Sequence, residues 1–439
     1  MVRATDHTYD TNTKLERIAW LSSRDPHKVY TCLMHLYNEE SLTQCFHELD
    51  GEKAVGIDGV SKGQYGVNLK DNIADLVSRM KSMSYRPNPV LEHLIPKEGK
   101  PGATRPLGIS IFEDKIVQKM TQKILESIYE PLFKSCSYGF RPGRGCHDAI
   151  KDLQHYLHDN EVTYVIDIDL GNFFGTIDHE RLKELLKAKI GDECFMRYIT
   201  RMFKAGVLSD GELRISEEGV PQGSICSPVL ANIYAHHAID EWVCDMITPH
   251  LKGNVRLFRY ADDAIICCQY EEDAFKLRKV LSQRLERFGL RLNEEKTKMV
   301  PFSRAKVTQG IEQGTFDFLG FTFYWGKSRR GKYVPKLKTI RKRLRSKLKK
   351  VNIWLRENRN EMKFKTLWKR FCQKLMGHNQ YYGVSHNTSS ISLFFYEAMK
   401  RFYFWVNRRS QKKSFNWEQW KKFLEGQNVP RPKIVHRLF

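Results

Sequence analysis

Two adjacent aspartates, Asp262 and Asp263, lie in the stretch Tyr260-Ala261-Asp262-Asp263, between the short apolar runs 255–259 and 264–268. Apolar runs of that length around a four-residue break predict a two-stranded hairpin. A tight turn throws both carboxylates to the hairpin tip, whereas within one strand neighbours point to opposite faces. Carboxylates held so close repel, and a cation between them is the natural resolution. An ordinary Asp-Asp turn is the plain alternative for the doublet taken alone. A third carboxylate can close the site, because Asp169 ends the apolar run Tyr164-Val165-Ile166-Asp167-Ile168-Asp169. Asp167 shares its parity and face and competes for the role. Asp169 is preferred because Phe174 follows it by five residues, which leaves space for an aromatic wall beside an incoming sugar. Such a trio suits nucleotidyl transfer. In that chemistry two cations ~4 Å apart activate the attacking hydroxyl and hold the departing phosphates. Magnesium fits the task because it accepts a few carboxylates together with water and phosphate oxygens.

The elements that must hold these groups follow from periodicity and turn residues. Residues 12–50 read as helical and 54–61 as a turn-rich loop, and a helix over 72–83 is stopped by Tyr85-Arg86-Pro87-Asn88-Pro89. Strands are expected at 90–96 and 105–109 around a Gly-rich turn, and helices at 112–129 and 147–157. A strand over 162–169 precedes a helix at 179–188. The Gly-rich loop 218–227 leads into a helix from 228 to 247. After the carboxylate hairpin come a helix at 271–288, a strand at 291–293 and a hairpin around 316–324. This order predicts a mixed α/β sheet with helices on one face.

Composition narrows the partner. Lys and Arg number 73 against 51 Asp and Glu, a formal charge of +22. Residues 327–350 hold thirteen basic residues and no acidic one. A surplus so clustered points to a polyanion, through phosphate neutralisation and counterion release. Leu337, Ile340, Leu344, Leu348, Val351 and Leu355 recur at intervals of three and four, predicting one apolar stripe on a helix lined with cations. A basic amphipathic helix can also lie on an anionic membrane. Here the flanking segment keeps supplying aromatics and Arg, which favours RNA. Trp405, Asn407, Arg408, Arg409 and Gln411 add an aromatic and guanidinium mixture suited to RNA loops and backbones. No apolar run approaches the ~18 residues of a membrane span, and the N-terminus lacks an apolar signal core. The ten cysteines form no paired CxxC pattern, so buried free thiols in the bacterial cytoplasm are expected and a structural zinc site is not.

The motifs, read in order, resemble the reverse transcriptases encoded by group II introns. Tyr260-Ala261-Asp262-Asp263 is similar to their active-site box. It is accompanied by Gly56-Ile57-Asp58-Gly59-Val60, Tyr85-Arg86-Pro87, Ile95-Pro96-Lys97 and Thr104-Arg105-Pro106-Leu107-Gly108-Ile109. Tyr138-Gly139-Phe140-Arg141-Pro142-Gly143-Arg144, Asp167-Ile168-Asp169, Pro221-Gln222-Gly223-Ser224 and Phe318-Leu319-Gly320-Phe321 also match in order. Each block alone is weak, whereas their collinearity over 50–325 is specific. Gly377-His378-Asn379-Gln380-Tyr381-Tyr382-Gly383, Trp405-Val406-Asn407-Arg408-Arg409 and Pro430-Arg431-Pro432-Lys433 are similar to the maturase or thumb region of bacterial members. Two departures stand out. Gly175 follows Phe174 where the family usually carries an acidic residue. The chain also reaches Phe439 without the Cys- and His-bearing nuclease domain that some relatives append, so an expected role in mobility needs a primer made by something else.

The resemblance implies a right-hand polymerase, α/β (α+β) in class, with mixed or antiparallel sheets in fingers and palm and an α-helical thumb. The expected divisions are an N-terminal extension and start of the fingers at 1–90, fingers and palm at 91–325, and a basic thumb or maturase domain at 326–439. It implies two Mg²⁺ ions, replaceable by Mn²⁺, on Asp169, Asp262 and Asp263. Lys97 and Arg105 would grip the triphosphate, Phe174 would exclude a ribose 2′-hydroxyl, and Gln222 would pack against nucleotide and template. Arg141, Arg144, Arg341, Lys342, Arg345, Lys349, Arg408 and Arg409 are expected on RNA. The partners implied are an RNA template, structured intron RNA, a DNA primer and dNTPs. The expected function is RNA-directed DNA synthesis with assistance to splicing and retrohoming. A domesticated relative serving antiphage defence or a CRISPR system is the alternative. A non-catalytic splicing chaperone is disfavoured by the intact aspartates.

Overall fold

The computed structural model describes residues 10–438, apart from 97–101, 103, 210–211, 217, 221–222 and 410–413. Pro26 divides the expected N-terminal helix, since it lacks an N–H and bars the preceding residue from helical backbone. In its place stand α1 (Thr11–Arg24), a 3₁₀ turn at Met34–Leu36 and α2 (Glu39–Glu48). Asn38 caps α2 by accepting from the Ser41 amide. Two further helices, α3 (Lys62–Gly66) and α4 (Leu69–Lys81), lead to the antiparallel pair β1 (Val90–Pro96) and β2 (Thr104–Ile109). The next elements are α5 (Phe112–Tyr129), α6 (Cys146–Asp159), β3 (Tyr164–Gly171), α7 (His179–Lys187) and α8 (Glu193–Lys204). Two three-residue strands, β4 (Val207–Ser209) and β5 (Glu212–Arg214), extend the β1–β2 sheet. They are too short to show a period in sequence.

The helix expected over 228–247 begins as α9 (Ser227–Ala235) and then widens into π-helical turns at His236–Asp240 and Trp242–Ile247. After it come β6 (Val255–Tyr260), β7 (Asp263–Cys268), α10 (Glu271–Glu286), β8 (Arg291–Leu292), β9 (Lys298–Pro301) and α11 (Arg304–Thr308). The central sheet runs β6-β7-β3, and the far edge of β3 is shared by β9 and β8 in succession. Period-two alternation divides its side chains. Ile166, Ile168, Leu170, Ala264 and Ile266 face the core that contains α5, α9 and α10, while Val165, Phe258, Ile265 and Cys267 face α6 and a second small sheet. Both faces of the central sheet are therefore covered, not one.

That second sheet is β10 (Phe316–Phe318), β11 (Phe321–Lys327) and β12 (Tyr333–Thr339). The last strand corrects the helical stripe expected to start at Leu337. Pro335, Leu337 and Thr339 are buried while Lys336 and Lys338 point outward, a period of two that mimics a 3–4 spacing where strand meets helix. Ile340 caps the true helix, α12 (Arg341–Asn358), which buries Leu344, Leu348, Val351 and Leu355. With α13 (Phe364–Tyr382), α14 (Thr388–Val406) and α15 (Trp417–Glu425) it encloses a third core rich in aromatics, among them Trp368, Phe371, Phe402 and Trp420.

Candidate active site

Strands β6 and β7 pair from Val255↔Cys268 to Tyr260↔Asp263, which leaves Ala261 and Asp262 as a two-residue turn. Ala261 takes φ +58, a left-handed conformation that costs a non-glycine residue roughly 1–2 kcal/mol. The other edge of β7 pairs with β3, and its last partners are Asp169 and Asp263. Directly opposed residues share a face with Cβ atoms ~5 Å apart, where like charges destabilise. Burial lifts the Asp263 carboxyl to about 7, against a hydrogen bond from the Leu319 backbone N–H and with the neighbouring Asp262 adding to the rise. Burial, reinforced by Asp263, lifts Asp167 to about 7 as well. Lys296 donates to Asp169 Oδ2 at 2.7 Å, and the Asp169 backbone is held by Thr297 Oγ1 and the Asn293 amide. Asp169, Asp262 and Asp263 converge at the hairpin tip, and burial raises the last two above the ordinary carboxylate range; such a set of oxygen donors is one that a divalent cation fits.

Beneath the turn lies a group that no motif had flagged. Arg259 is fully buried, and its guanidinium makes a two-point ion pair with Asp240, Nε to Oδ1 at 2.7 Å and Nη2 to Oδ2 at 2.6 Å. Nη2 also donates to Ser137 Oγ, and Nη1 donates to Asn232 Oδ1 and, at 3.0 Å, to the carbonyl of Ala261. All five N–H donors are thus used, one of them on the turn that carries Asp262. Asn232 Nδ2 closes the network on the Gly139 carbonyl at 2.7 Å. Gly139 is needed there, because a Cβ would lie 2.5 Å from the Ala261 amide. The available signal was a charge at an inward-facing position of a strand, Arg259 sharing the parity of Leu257.

Residues 95–323 match the family described as reverse transcriptase (RNA-dependent DNA polymerase). The chain belongs to the reverse transcriptase family. It is 34% identical over 233 residues to the group II intron-encoded protein LtrA of Lactococcus lactis subsp. cremoris, covering 53% of this chain and 38% of that protein. It is 33% identical over 314 residues to protein YkfC of Escherichia coli K12, covering 64% and 78% respectively. A nuclear intron maturase, number 4, of Arabidopsis thaliana is 27% identical over 121 residues, covering 27% and 15%. Within the family the chain is of the group II intron type, and its fold is the right-hand polymerase with a helical C-terminal region. The chain spans well under half the length of LtrA.

In this member of the family, Phe174, expected to form an aromatic wall, is linked through Phe140 to Tyr260 at the start of the carboxylate turn. Its ring meets Phe140 edge-on at 6.4 Å, and Phe140 in turn lies 6.4 Å from Tyr260. Gly175 has a local cause, since a Cβ there would fall 2.3 Å from Asn172 Nδ2; the Asn172 side chain fills the space. Arg105 is exposed on β2. Lys97 and Gln222 lie outside the described residues, although the flanking Val220 amide bonds the Phe174 carbonyl at 2.8 Å. The basic residues divide. Arg341, Lys342, Arg345 and Lys349 are exposed on α12, and Arg408 is exposed beyond α14. Arg141 is not free for RNA, and Arg144 is half-buried and partly committed. Arg141 is buried, paired through Nε and Nη2 with Glu130 and donating to the Lys134 and Ser137 carbonyls. Arg144 donates to the Ser135 and Ser137 carbonyls and lies over the Tyr138 ring. Both fix the loop that carries Gly139 and Phe140. Arg409 donates to the Met362 carbonyl.

The network under the turn sets a test that separates stability from geometry. Arg259→Gln strands Asp240 in the core and should cost about 3–5 kcal/mol in urea unfolding. The double replacement Arg259→Met with Asp240→Leu should recover most of that stability, because an apolar pair of similar volume replaces the ions. DNA synthesis should nonetheless stay at least tenfold down, since the Ala261 carbonyl has lost its donor and a misplacement of about 1 Å can cost on the order of 10²-fold. Full activity in the double variant would show that the pair serves stability only.

Proposed function

We propose that the chain copies RNA into DNA, adding dNTPs to the 3′ end of a DNA primer. The observation that carries this reading is the register of Asp169 against Asp263 with Asp262 on the adjoining turn. We assign Asp169, Asp262 and Asp263 as the ligands of two Mg²⁺ ions, with Mn²⁺ as a substitute. When bound, the ions supply the charge that activates the primer hydroxyl and holds the departing phosphates. The protein's own residues do the rest. The Ala261 turn is fixed by Arg259, so the carboxylates arrive preorganised and need no rearrangement at the moment of reaction. Lys296 on Asp169 is a cation already drawn to the site, and it can leave when a stronger one arrives.

Arg105, with Lys97 across the same hairpin, is proposed to grip the triphosphate, where two cations are geometrically apt. Phe174, backed by Phe140, is the wall against a 2′-hydroxyl, and Gln222 packs against nucleotide and template. Arg341, Lys342, Arg345 and Lys349 track RNA phosphates along the outer face of α12. The family's maturase character supports a second task on the same surface, the binding of structured intron RNA to assist splicing. The proposed setting is the bacterial cytoplasm, and the ten unbridged cysteines accord with it. Among the described residues no helix is long and apolar enough to cross a membrane. The divisions proposed are the N-terminal extension at 1–90, fingers and palm at 91–325 and the thumb or maturase region at 326–439.

The first test is electrostatic. Asp263→Asn removes one of two opposed like charges, so in metal-free buffer its stability should equal or slightly exceed wild type, by up to ~1 kcal/mol. Primer extension should be abolished with either cation, and the same holds for Asp262→Asn. Extension above a few per cent of wild type would sink the assignment. For the wall, Phe174→Val should raise rNTP incorporation relative to dNTP at least tenfold, and an unchanged ratio would remove Phe174 from that role. For α12, replacing Arg341, Lys342, Arg345 and Lys349 with Gln should weaken RNA binding across ~50–200 mM salt. The slope of log K should shrink by ~0.7–0.9 for each phosphate that is no longer neutralised. Coincident salt titrations would reduce these four charges to a solvated face.

A further inference from the structure

One face of the C-terminal helices carries exposed aromatic rings, each with a cation drawn over it at four-residue spacing. On α14 and just beyond it the series is Tyr396, Lys400, Phe404, Arg408. The Lys400 ammonium lies 5.2 Å from the Tyr396 ring centre, and the Arg408 guanidinium lies 3.6 Å from that of Phe404. On α15 the Lys421 ammonium lies 5.9 Å from the ring centre of Trp417. Tyr396, Phe404 and Trp417 are 59%, 45% and 58% exposed, although buried aromatic partners stand close by in the same helices. All six residues border one open cavity of about 1010 Å³. Its lining also includes Arg431, with Glu425 as the single acidic residue. The volume sits at the top of the roughly 300–1,000 Å³ that hold one small molecule, so the space suits a run of groups.

The geometry points to a binding platform for an unpaired stretch of nucleic acid strand, with bases stacked on Tyr396, Phe404 and Trp417 and phosphates on Lys400, Arg408 and Lys421. The inference rests on the reading that this chain acts on nucleic acid. Aromatic faces alternating with cations are what a single strand needs, because every base offers a π-face and every linkage a negative charge. A protein partner fits less well, since the centres of protein interfaces are depleted in Lys, and here a Lys or Arg accompanies each exposed ring. Duplex is excluded by the same logic, its bases being stacked already on one another. Arg409, tied to the Met362 carbonyl, is not part of the platform.

The test uses the full chain, with fluorescein-labelled twelve-residue U-tract RNA, the T-tract DNA of equal length and a duplex of that length. It adds a U-tract strand carrying one central 2-aminopurine. Tyr396→Ala, Phe404→Ala and Trp417→Ala remove rings that are about half exposed, and matched circular dichroism and melting check that the fold survives. Each single replacement should weaken single-strand binding roughly fivefold or more, and the triple variant should lose the 2-aminopurine quench. Tyr396→Phe with Trp417→Phe keeps the rings and should keep the quench. Duplex affinity should be unaltered in all of them. A larger loss for RNA than for DNA assigns the platform to RNA, and equal losses assign it to single strands of either kind. Undiminished single-strand affinity and quench in the triple variant would overturn the inference. So would an equal loss for duplex, or loss of self-association with oligonucleotide binding intact. Wild-type primer extension is measured on the same preparation. If it fails while the quench persists, the polymerase reading falls and the platform stands.

Discussion

The ion pair between Arg259 and Asp240 is the constraint on which the carboxylate-bearing turn depends. Both partners are sealed from water, and burying such a pair rarely stabilises a protein more than a well-packed apolar pair would. What the pair offers is direction. A guanidinium with all five donors committed has no remaining freedom, so the carbonyl of Ala261 is held at one place relative to α9 and its π-helical extension. A π-turn inserts an extra residue per turn and is commonly found where function has fixed a side chain's aim. Asn232 and Asp240, on either side of its start, both reach Arg259. The turn can then hold Ala261 in a left-handed conformation that local preference opposes.

The same turn concentrates negative charge where a sheet tolerates it least. Asp169 and Asp263 are direct partners, Asp167 lies two residues back on the same face, and burial keeps protons on Asp167 and Asp263 near neutral pH. The site is thus destabilised by its own composition, and anything with two positive charges is drawn to it. Its relief comes partly from the C-terminal half of the chain. Leu319 and Gly320 form the two-residue turn of β10–β11, both with positive φ as a type I′ hairpin turn requires. The amide of Leu319 supports Asp263, while its carbonyl accepts from Tyr381 of α13 at 2.8 Å. A movement of α13 is therefore felt, through one residue, at the Asp263 carboxylate.

Much of this was legible in the sequence because it is written in local period. The ends of α5 are the ones that apolar spacing predicts, and β3, β6 and β7 fall within a residue or two of expectation. Opposition of Asp169 and Asp263 needs only the parity of two strands once they are paired. What escaped depends on contacts distant in sequence. Arg141 and Arg144 looked like free cations because the carbonyls and the Glu130 carboxylate that hold them are a property of the folded loop. Arg259 reads as a charge at the end of a strand until Asp240, nineteen residues earlier, is brought beneath it. In β12, lysines alternating with apolar residues fit a strand, yet Leu337 near its end joins a helical stripe if the count continues through Ile340 into α12.

The charge of +22 is not spread evenly, and its segregation has a physical use. Among the described residues, Lys296 binds Asp169 and Arg259 is spent on the buried Asp240, while Lys298 and Arg343 lower Asp167 and Asp263 at longer range. Exposed cations occur along the whole chain, and two groups of them stand on the outer face of α12 and around the cavity between α14 and α15. Over ~8–10 Å, the Debye length at ordinary ionic strength, such groups of charge act almost independently. On the proposed assignments, a polyanion would be drawn to the helical C-terminal region and a small divalent cation to the carboxylates. If the excess lysines lay beside the aspartates, they would neutralise the trio and compete with the metal. On the same proposed assignments, placing phosphate binding on one set of elements and metal binding on another would let a long RNA be held without weakening the hold on the ions.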